Sequence, residues 1–245
     1  MGNYRIILQY EGTKYQGWQR QDSTENTIQG KLERLLTKMC GEQVEIQGSG
    51  RTDAGVHAYG QVANFHCNTK LSCEEILEYM NQYLPEDIGV ILVEQVSERF
   101  HSRLNAKGKV YRYRVMTGNI PHLFERRWVY EHPEKLDVEA MKAAAKLLLG
   151  THDFKAFTSA KRGKKSTVRT IEAIEIGQNG DEICFTYRGD GFLYHMVRIL
   201  TGTLLEVGEG KRAAQDIPEI LESKNREKAG FLAPAKGLAL MEVFY

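Results

Sequence analysis

Apolar and polar residues recur in the same order in both halves of the chain. The first half contains strand-like runs, with side chains alternating between two faces, and helical runs, with apolar residues every three or four positions. The strand-like runs are 4–10, 44–50, 60–67 and 88–96, and the helical runs are 27–39 and 73–83. Ser72 and Glu75 predict a capping box for the second helix, which we expect to end near Tyr83, before Pro85. The first half is therefore predicted to be βαββαβ.

The second half repeats this order with insertions. Asp137 is the predicted N-cap of a helix that runs to Leu149 and is stopped by Gly150. Asn179-Gly180 is typical of a hairpin turn between two strands. The other predicted elements are strands at 109–116, 168–176, 182–188 and 237–245 and helices at 192–207 and 214–223.

A doubled βαββαβ order predicts an α+β fold built from two ferredoxin-like halves. We place the first half at 1–105 and the second at 106–245. Each half would form a four-stranded antiparallel sheet with helices on one face. The two sheets could join edge to edge with pseudo-two-fold symmetry, because joining would cover an exposed edge strand of each. Their open faces would then form one cleft.

Composition narrows the class of protein. The chain has 245 residues, of which 42% are hydrophobic and 27% charged, so it can bury a substantial core. No apolar run is long enough to span a bilayer, and the N-terminus lacks the plan of a signal peptide. The four cysteines form no CxxC pair, which favours a cytoplasmic protein with reduced thiols.

Charge is balanced over the chain but uneven along it. The net charge is +1, yet 99–114 and 155–170 each contain six Lys or Arg and no Asp or Glu. Such stretches suggest one positive surface for nucleic acid. They are also compatible with strand edges guarded by charged side chains.

The stretch GSGRTDAGVHA at 48–58 contains the candidate chemistry. A tight turn needs its glycines, but it does not need Arg51, Thr52 and Asp53. Asp53 could bond its own backbone, or it could be a carboxylate nucleophile or base that an arginine keeps ionised. Arg51 could contact phosphate, and His57 could be structural or functional. No serine-hydrolase elbow, Walker loop, HExxH motif or zinc-like Cys/His spacing is present. We therefore expect neither a metal nor a nucleotide cofactor.

Five stretches, in order, resemble the tRNA pseudouridine synthase A family and together span nearly the whole chain. They are YEGTKYQGWQRQ (10–21), GRTDAGVHA (50–58), RFHSRLNAKGKVYRYR (99–114), FLYHMVRILTGTLLEVG (192–208) and APAKGLAL (233–240). The resemblance implies an isomerase that converts uridine to pseudouridine at positions 38, 39 and 40 in the anticodon stem-loop of tRNA. It implies a reaction without a cofactor, because isomerisation adds no atoms to the substrate. It also implies a homodimer and no association with a membrane.

The resemblance also implies roles for individual residues. Asp53 matches the essential aspartate, which attacks ribose C1′ or removes the C2′ proton; the sequence does not choose between them. Tyr111 matches a tyrosine that stacks on the target base and helps remove the C5 proton, and Arg198 matches the arginine that pairs with Asp53. Further candidate RNA contacts, beside Tyr111, Arg51 and His57, are Phe100, His101, Arg103, Lys161, Arg162, Lys164, Lys165 and Arg169.

Two positions depart from the family pattern. Ile199 stands where Asn usually follows the arginine, and Leu104 stands where an aromatic residue is usual. We expect catalysis to survive both, although Leu104 could alter local packing or an RNA contact. A non-catalytic RNA-binding platform is the alternative function, and a base-excising N-glycosidase, which would release free uracil, is a third.

Overall fold

Two units divide the chain in the computed structural model, which describes residues 1–160 and 166–245. Met1–Lys107 and Ala239–Tyr245 form the first unit, and Gly108–Leu238 forms the second. The C-terminal strand thus groups with the first unit, whereas the sequence pattern placed it in the half at 106–245. Its backbone pairing with the first unit, described below, explains the difference.

The first unit has the ferredoxin-like order expected from the sequence. Its elements are β1 (Gly2–Tyr10), α1 (Ile28–Cys40), β2 (Ile46–Gly48), β3 (His57–Cys67), α2 (Cys73–Tyr83) and β4 (Ile88–Val96). β1 lies between β4 and β3, β2 pairs with β3, and all three pairings are antiparallel. The two helices contact each other and the strands β2 and β4, so they cover one face of this sheet.

Local signals define both helices of the first unit. Thr27 Oγ1 accepts a hydrogen bond from the Gly30 amide at the start of α1, and Gly41, at φ +70°, ends that helix. The predicted capping box of α2 is confirmed, since Ser72 and Glu75 each accept a backbone N–H of the other at 3.2 and 2.7 Å.

The second unit is also α+β. Its elements are β5 (Gly108–Thr117), β6 (Tyr130–His132), α3 (Val138–Lys146), β7 (Gly150–Asp153), β8 (Val168–Asn179), β9 (Glu182–Gly189), α4 (Met196–Gly208) and α5 (Ile217–Ser223). β5, β9, β8 and β7 follow one another in an antiparallel sheet, and β6 lies parallel to β5. The predicted hairpin is confirmed, with Gly180 at φ +58°. The α+β fold class is therefore confirmed; the joining of the two sheets and the cleft stay predictions.

The final strand, β10 (Leu238–Phe244), pairs in parallel with the start of β3. Ala239 lies opposite His57 and Leu240 opposite Ala58. Gly60 allows this contact, because a Cβ there would lie 2.4 Å from the Met241 carbonyl oxygen. The end of the chain therefore reinforces the strand that leaves the Asp53 turn.

Three helix boundaries were predicted wrongly. α5 begins at Ile217 rather than at 214, because Ala214–Asp216 forms a separate 3-10 turn. α3 ends at Lys146 rather than Leu149, because the amides of 147–149 bond carbonyls three residues earlier and tighten the chain into turns. α4 begins at Met196 rather than at 192, because His195 adopts φ +64°, a left-handed conformation that a right-handed helix excludes. The short strands β6 and β7 were missed, since three or four residues show no clear periodicity.

Candidate active site

Asp53 lies in the turn that joins β2 to β3. Gly55 follows at φ +77°, a conformation that glycine adopts without steric cost, and the chain reverses there. The Val56 amide donates to the Asp53 carbonyl oxygen at 3.1 Å, and the Gly55 amide donates to Tyr15 O at 3.3 Å. The turn is therefore closed on itself and attached to the N-terminal segment, which fixes the backbone that presents the carboxylate.

Two glycines of the N-terminal segment allow it to press against this turn. A Cβ on Gly12 would lie 2.1 Å from the Val56 carbonyl oxygen. A Cβ on Gly17, at φ +90°, would lie 2.7 Å from the Thr52 carbonyl oxygen. The Trp18 amide donates to that same Thr52 oxygen at 3.0 Å. The motifs at 10–21 and 50–58 are thus two sides of one packed contact, which explains why the first contains Gly12 and Gly17.

His57 is positioned inside this contact rather than at the surface. Its side chain is buried, and its Nδ1 accepts a hydrogen bond from the Gly12 amide at 3.0 Å. Glu11 Oε1 lies 3.7 Å from the same nitrogen. In this arrangement the imidazole links the N-terminal segment to the first residue of β3.

The turn presents its two charged residues differently. Arg51 is exposed, as a phosphate contact would require, whereas Asp53 is half-buried. Asp53 is therefore neither fully exposed to water nor fully shielded from it.

Thr52, which the sequence singled out, belongs to a network of buried polar residues beneath the turn that was not predicted. Ser49, Thr52, Gln61 and Tyr10 are buried and are joined by hydrogen bonds. Burial raises the pKa of the Tyr10 hydroxyl to about 12, so this group stays protonated at neutral pH. The available signal was Gln61, a polar residue at a position where the alternation along β3 calls for an apolar one.

In the second unit, Tyr111 lies on β5 opposite Tyr187 of β9. Its side chain is 8% exposed, and the Phe192 ring packs edge-on against it, with centroids 5.3 Å apart. The Tyr111 ring is therefore largely covered, in part by the half-buried Phe192.

Arg198 is half-buried in the first turn of α4. Its Nε donates to the Ala233 carbonyl oxygen at 2.7 Å, and the Tyr113 hydroxyl donates to the adjacent Pro234 carbonyl oxygen at 2.7 Å. Burial holds the pKa of Tyr113 well above its usual range, which the nearby Arg198 charge partly offsets. Both side chains therefore anchor the segment that carries the 233–240 motif.

Close backbone contact joins that segment to α4. A Cβ on Gly202 would lie 2.0 Å from the Phe231 carbonyl oxygen, and one on Gly230 would lie 2.6 Å from Thr203 Cα. Thr203 Oγ1 accepts the Gly230 amide at 2.9 Å. The motifs at 192–208 and 233–240 are thus connected, as are the two motifs of the first unit, and the position of Arg198 depends on both.

Segment 99–105 of the first unit is held by contacts with the C-terminal residue Tyr245 and by hydrogen bonds within the segment. The Phe100 ring packs on Tyr245, with centroids 5.1 Å apart. His101 is half-buried, and its Nδ1 accepts the Arg103 amide at 3.1 Å, while Arg103 and Leu104 are exposed. Leu104 is 77% exposed, so its replacement of an aromatic residue costs little packing in this chain.

The second basic stretch is only partly described. Arg169 is half-buried and donates to the backbone carbonyls of Ser166 and Val168 at 3.1 and 2.6 Å. Lys161, Arg162, Lys164 and Lys165 lie outside the described residues. Within 1–160 and 166–245, no three His, Cys, Asp or Glu side chains are grouped so that they could hold a metal ion. No helix in the same ranges is long and apolar enough to cross a membrane.

The predicted site residues are thus divided between the units, with Asp53, Arg51 and His57 in the first and Tyr111 and Arg198 in the second. The fold and the turn define an α+β protein that presents one carboxylate from a loop held by backbone hydrogen bonds and by close contacts at glycine.

Comparisons with known proteins identify the family. A family model described as tRNA pseudouridine synthase matches residues 6–105 and 144–245. A tRNA pseudouridine synthase A of Bacillus sp. (strain KSM-64) is 49% identical, with 98% of each chain covered. A tRNA pseudouridine synthase A 2 of Bacillus anthracis is 46% identical over 99% of each chain. A tRNA pseudouridine synthase A 1 of Clostridium tetani is 46% identical over the full length of both. The chain therefore belongs to the tRNA pseudouridine synthase family, whose members are isomerases that act on uridine in tRNA.

Proposed function

We propose that this enzyme isomerises the uridines at positions 38, 39 and 40 in the anticodon stem-loop of tRNA, with Asp53 as its catalytic carboxylate. The family supports the reaction, and the turn supports the residue. Asp53 is the one acid in a loop whose backbone is fixed by hydrogen bonds and by close contacts at Gly12 and Gly17. Preorganisation of this kind is what a catalytic group requires.

The reaction rearranges atoms that the substrate already contains. The N1–C1′ bond of uridine breaks, the uracil rotates, and C5 bonds C1′; C5 loses a proton and N1 gains one. Asp53 would act either by attack on C1′ or by removal of the C2′ proton. Neither route needs a donor or an oxidant, so we propose a reaction without cofactor or metal.

Tyr111 and Arg198 complete the proposed site. We expect the Tyr111 ring to stack on the flipped uracil and its hydroxyl to help remove the C5 proton. Extruding a paired nucleotide costs a few kcal/mol, roughly what one base–aromatic stack of about 1–3 kcal/mol returns. Arg198 would keep Asp53 ionised, and the Ala233 carbonyl that its Nε contacts would aim its guanidinium.

RNA would be held mainly through phosphate and shape. The proposed contacts are Arg51, Phe100, His101, Arg103 and Arg169, together with Lys161, Arg162, Lys164 and Lys165. We propose a positioning role for His57, since it is buried against Gly12. We also propose a homodimer, as the family resemblance implies, and sedimentation of the purified protein would test it. All four cysteines are free, which agrees with the proposed cytoplasmic location.

Comparison of wild-type enzyme with Asp53→Asn tests this function. We expect wild type to form pseudouridine in unmodified tRNA without added metal or nucleotide. We expect Asp53→Asn to form none while its affinity for tRNA stays within about tenfold, roughly 1.4 kcal/mol.

Three other outcomes would contradict the proposal. Pseudouridine formation by Asp53→Asn would remove the catalytic role of Asp53. Free uracil from wild type would indicate an N-glycosidase. Tight tRNA binding without a product from either protein would favour the RNA-binding platform.

A further inference from the structure

The side-chain amide of Gln61 lies directly beneath the Asp53 turn. Gln61 is fully buried on β3. Its Oε1 accepts the Ser49 hydroxyl at 2.7 Å, and its Nε2 donates to the Gly50 carbonyl oxygen at 3.1 Å. One amide therefore holds two consecutive residues of the strand end that leads into the turn.

The Tyr10 hydroxyl continues this connection to the residue before Asp53. It lies 2.8 Å from Thr52 Oγ1 and, at the longer distance of 3.4 Å, accepts from Gln61 Nε2. Tyr10 and Thr52 are both buried. Gln61 and Tyr10 together thus fix three residues that precede Asp53, namely Ser49, Gly50 and Thr52.

Gln61 is a polar residue on an otherwise apolar face of β3. It shares a face of β3 with Ala63 and Phe65, and its partner across the sheet is Leu8, all fully buried. The amide is held at this position by its hydrogen bonds to Ser49 and Gly50, and an apolar side chain would take a partner from both. A buried polar network of this kind specifies one arrangement of the backbone that it holds.

We propose that Gln61, acting with Tyr10, is a positioning residue that sets the location of the Asp53 carboxylate for isomerisation. The inference rests on the proposed catalytic role of Asp53. Gln61 itself does not contact substrate. It acts through Gly50 and Thr52, whose positions determine where the chain carries the carboxylate.

Two variants and their combination test the proposal. Gln61→Met keeps the length of the side chain and removes the amide, and Tyr10→Phe keeps the ring and removes the hydroxyl. Each is measured for the single-turnover rate of pseudouridine formation with enzyme in excess, and for the Kd of tRNA. Because small misplacements of a reacting group are costly, we expect Gln61→Met to lower the rate by about tenfold to a hundredfold. We expect its Kd to stay within about threefold.

The double variant separates shared from independent action. If both side chains hold the same turn, the double variant should react only slightly more slowly than Gln61→Met, since residues of one network are not additive. Rate losses that multiply would contradict a shared role.

Thr37→Val is the matched control for a general loss of stability. Thr37 Oγ1 accepts the Val44 amide at 3.1 Å at the end of α1, so this change also removes one hydrogen bond within the first unit. We expect a thermal destabilisation similar to that of Tyr10→Phe, with a wild-type single-turnover rate. If Thr37→Val slows the reaction as much as Tyr10→Phe does, the effect reflects stability and the proposal fails.

The remaining outcomes distinguish this proposal from the proposed function. A wild-type rate in Gln61→Met and Tyr10→Phe, with Asp53→Asn inactive, overturns the positioning role alone. Activity in Asp53→Asn overturns the proposed function first. A weaker Kd with a wild-type rate at saturation would assign the network to RNA binding instead. If Gln61→Met fails to fold, the milder Tyr10→Phe decides by the same criteria.

Discussion

Replacing Gly17 with alanine would push directly on the Asp53 turn. The new Cβ would lie 2.7 Å from the Thr52 carbonyl oxygen, 3.1 Å from the Ala54 amide nitrogen and 3.2 Å from the Asp53 carbonyl carbon. All three atoms belong to backbone, which cannot rotate away as the end of a flexible side chain can. The turn or the N-terminal segment must therefore move.

The cost has two parts, and the chain offers a control that separates them. At φ +90° an alanine is strained by about 1–2 kcal/mol, and overpacking adds about 1–3 kcal/mol. Gly118 has φ +96° with no atom within 4 Å of the added Cβ, so Gly118→Ala carries the strain alone. The effect of alanine on the entropy of the unfolded chain is common to both variants and cancels in the comparison.

Urea unfolding and single-turnover kinetics measure the two consequences. We expect the free energy of unfolding to fall by about 1–3 kcal/mol more in Gly17→Ala than in Gly118→Ala. We expect the rate of pseudouridine formation to fall by about a hundredfold in Gly17→Ala, as for a displacement near 1 Å, and to be unchanged in Gly118→Ala. Equal destabilisation of both variants, or a wild-type rate in Gly17→Ala, would refute the view that this contact positions Asp53.

Two further predictions concern the second unit. Arg114 binds the Glu182 carboxylate at 2.5 and 3.2 Å and lowers the pKa of that carboxylate. The pair should therefore stabilise the fold fully at pH values above the ordinary glutamate pKa of about 4.3. This contribution should be lost as the pH falls through the lowered pKa of Glu182. The partly exposed pair should contribute at most about 1 kcal/mol, and unfolding of Glu182→Gln at pH 7 and at acid pH should show a difference from wild type only at pH 7. Ile199→Asn would place an amide at a fully buried position of α4, and we expect urea unfolding to show a loss of about 2–4 kcal/mol. Unchanged stability would mean that α4 offers the amide a partner.

Signals that act over a few residues were sufficient for much of the secondary structure. The capping box at Ser72 and Glu75 set the start of α2, and β4 was predicted at its observed bounds of 88–96. The Asn179-Gly180 turn was predicted because glycine supplies the positive φ that the hairpin needs. In each case the residues that determine the geometry are near neighbours in the chain.

The chemistry of the turn was only partly predictable. Asp53 was singled out because a glycine turn does not need an Arg-Thr-Asp sequence in order to form. His57, a candidate for RNA contact, is instead buried with its Nδ1 on the Gly12 amide. The predicted start of α4 was wrong because the sequence around His195 does not show that this residue adopts a left-handed backbone, with φ +64°.

By itself, the sequence determined the α+β class and the βαββαβ order of the first unit, because periodicity, caps and turns depend on local physics. Only the tertiary structure showed that Gly12 and Gly17 press on the Asp53 turn and that Gln61 holds it from below. Those contacts join residues that are far apart along the chain and are close only after the strands pair. These contacts form because the two segments have complementary shapes and hydrogen-bonding groups, and such complementarity between distant segments cannot be seen from the order of the residues.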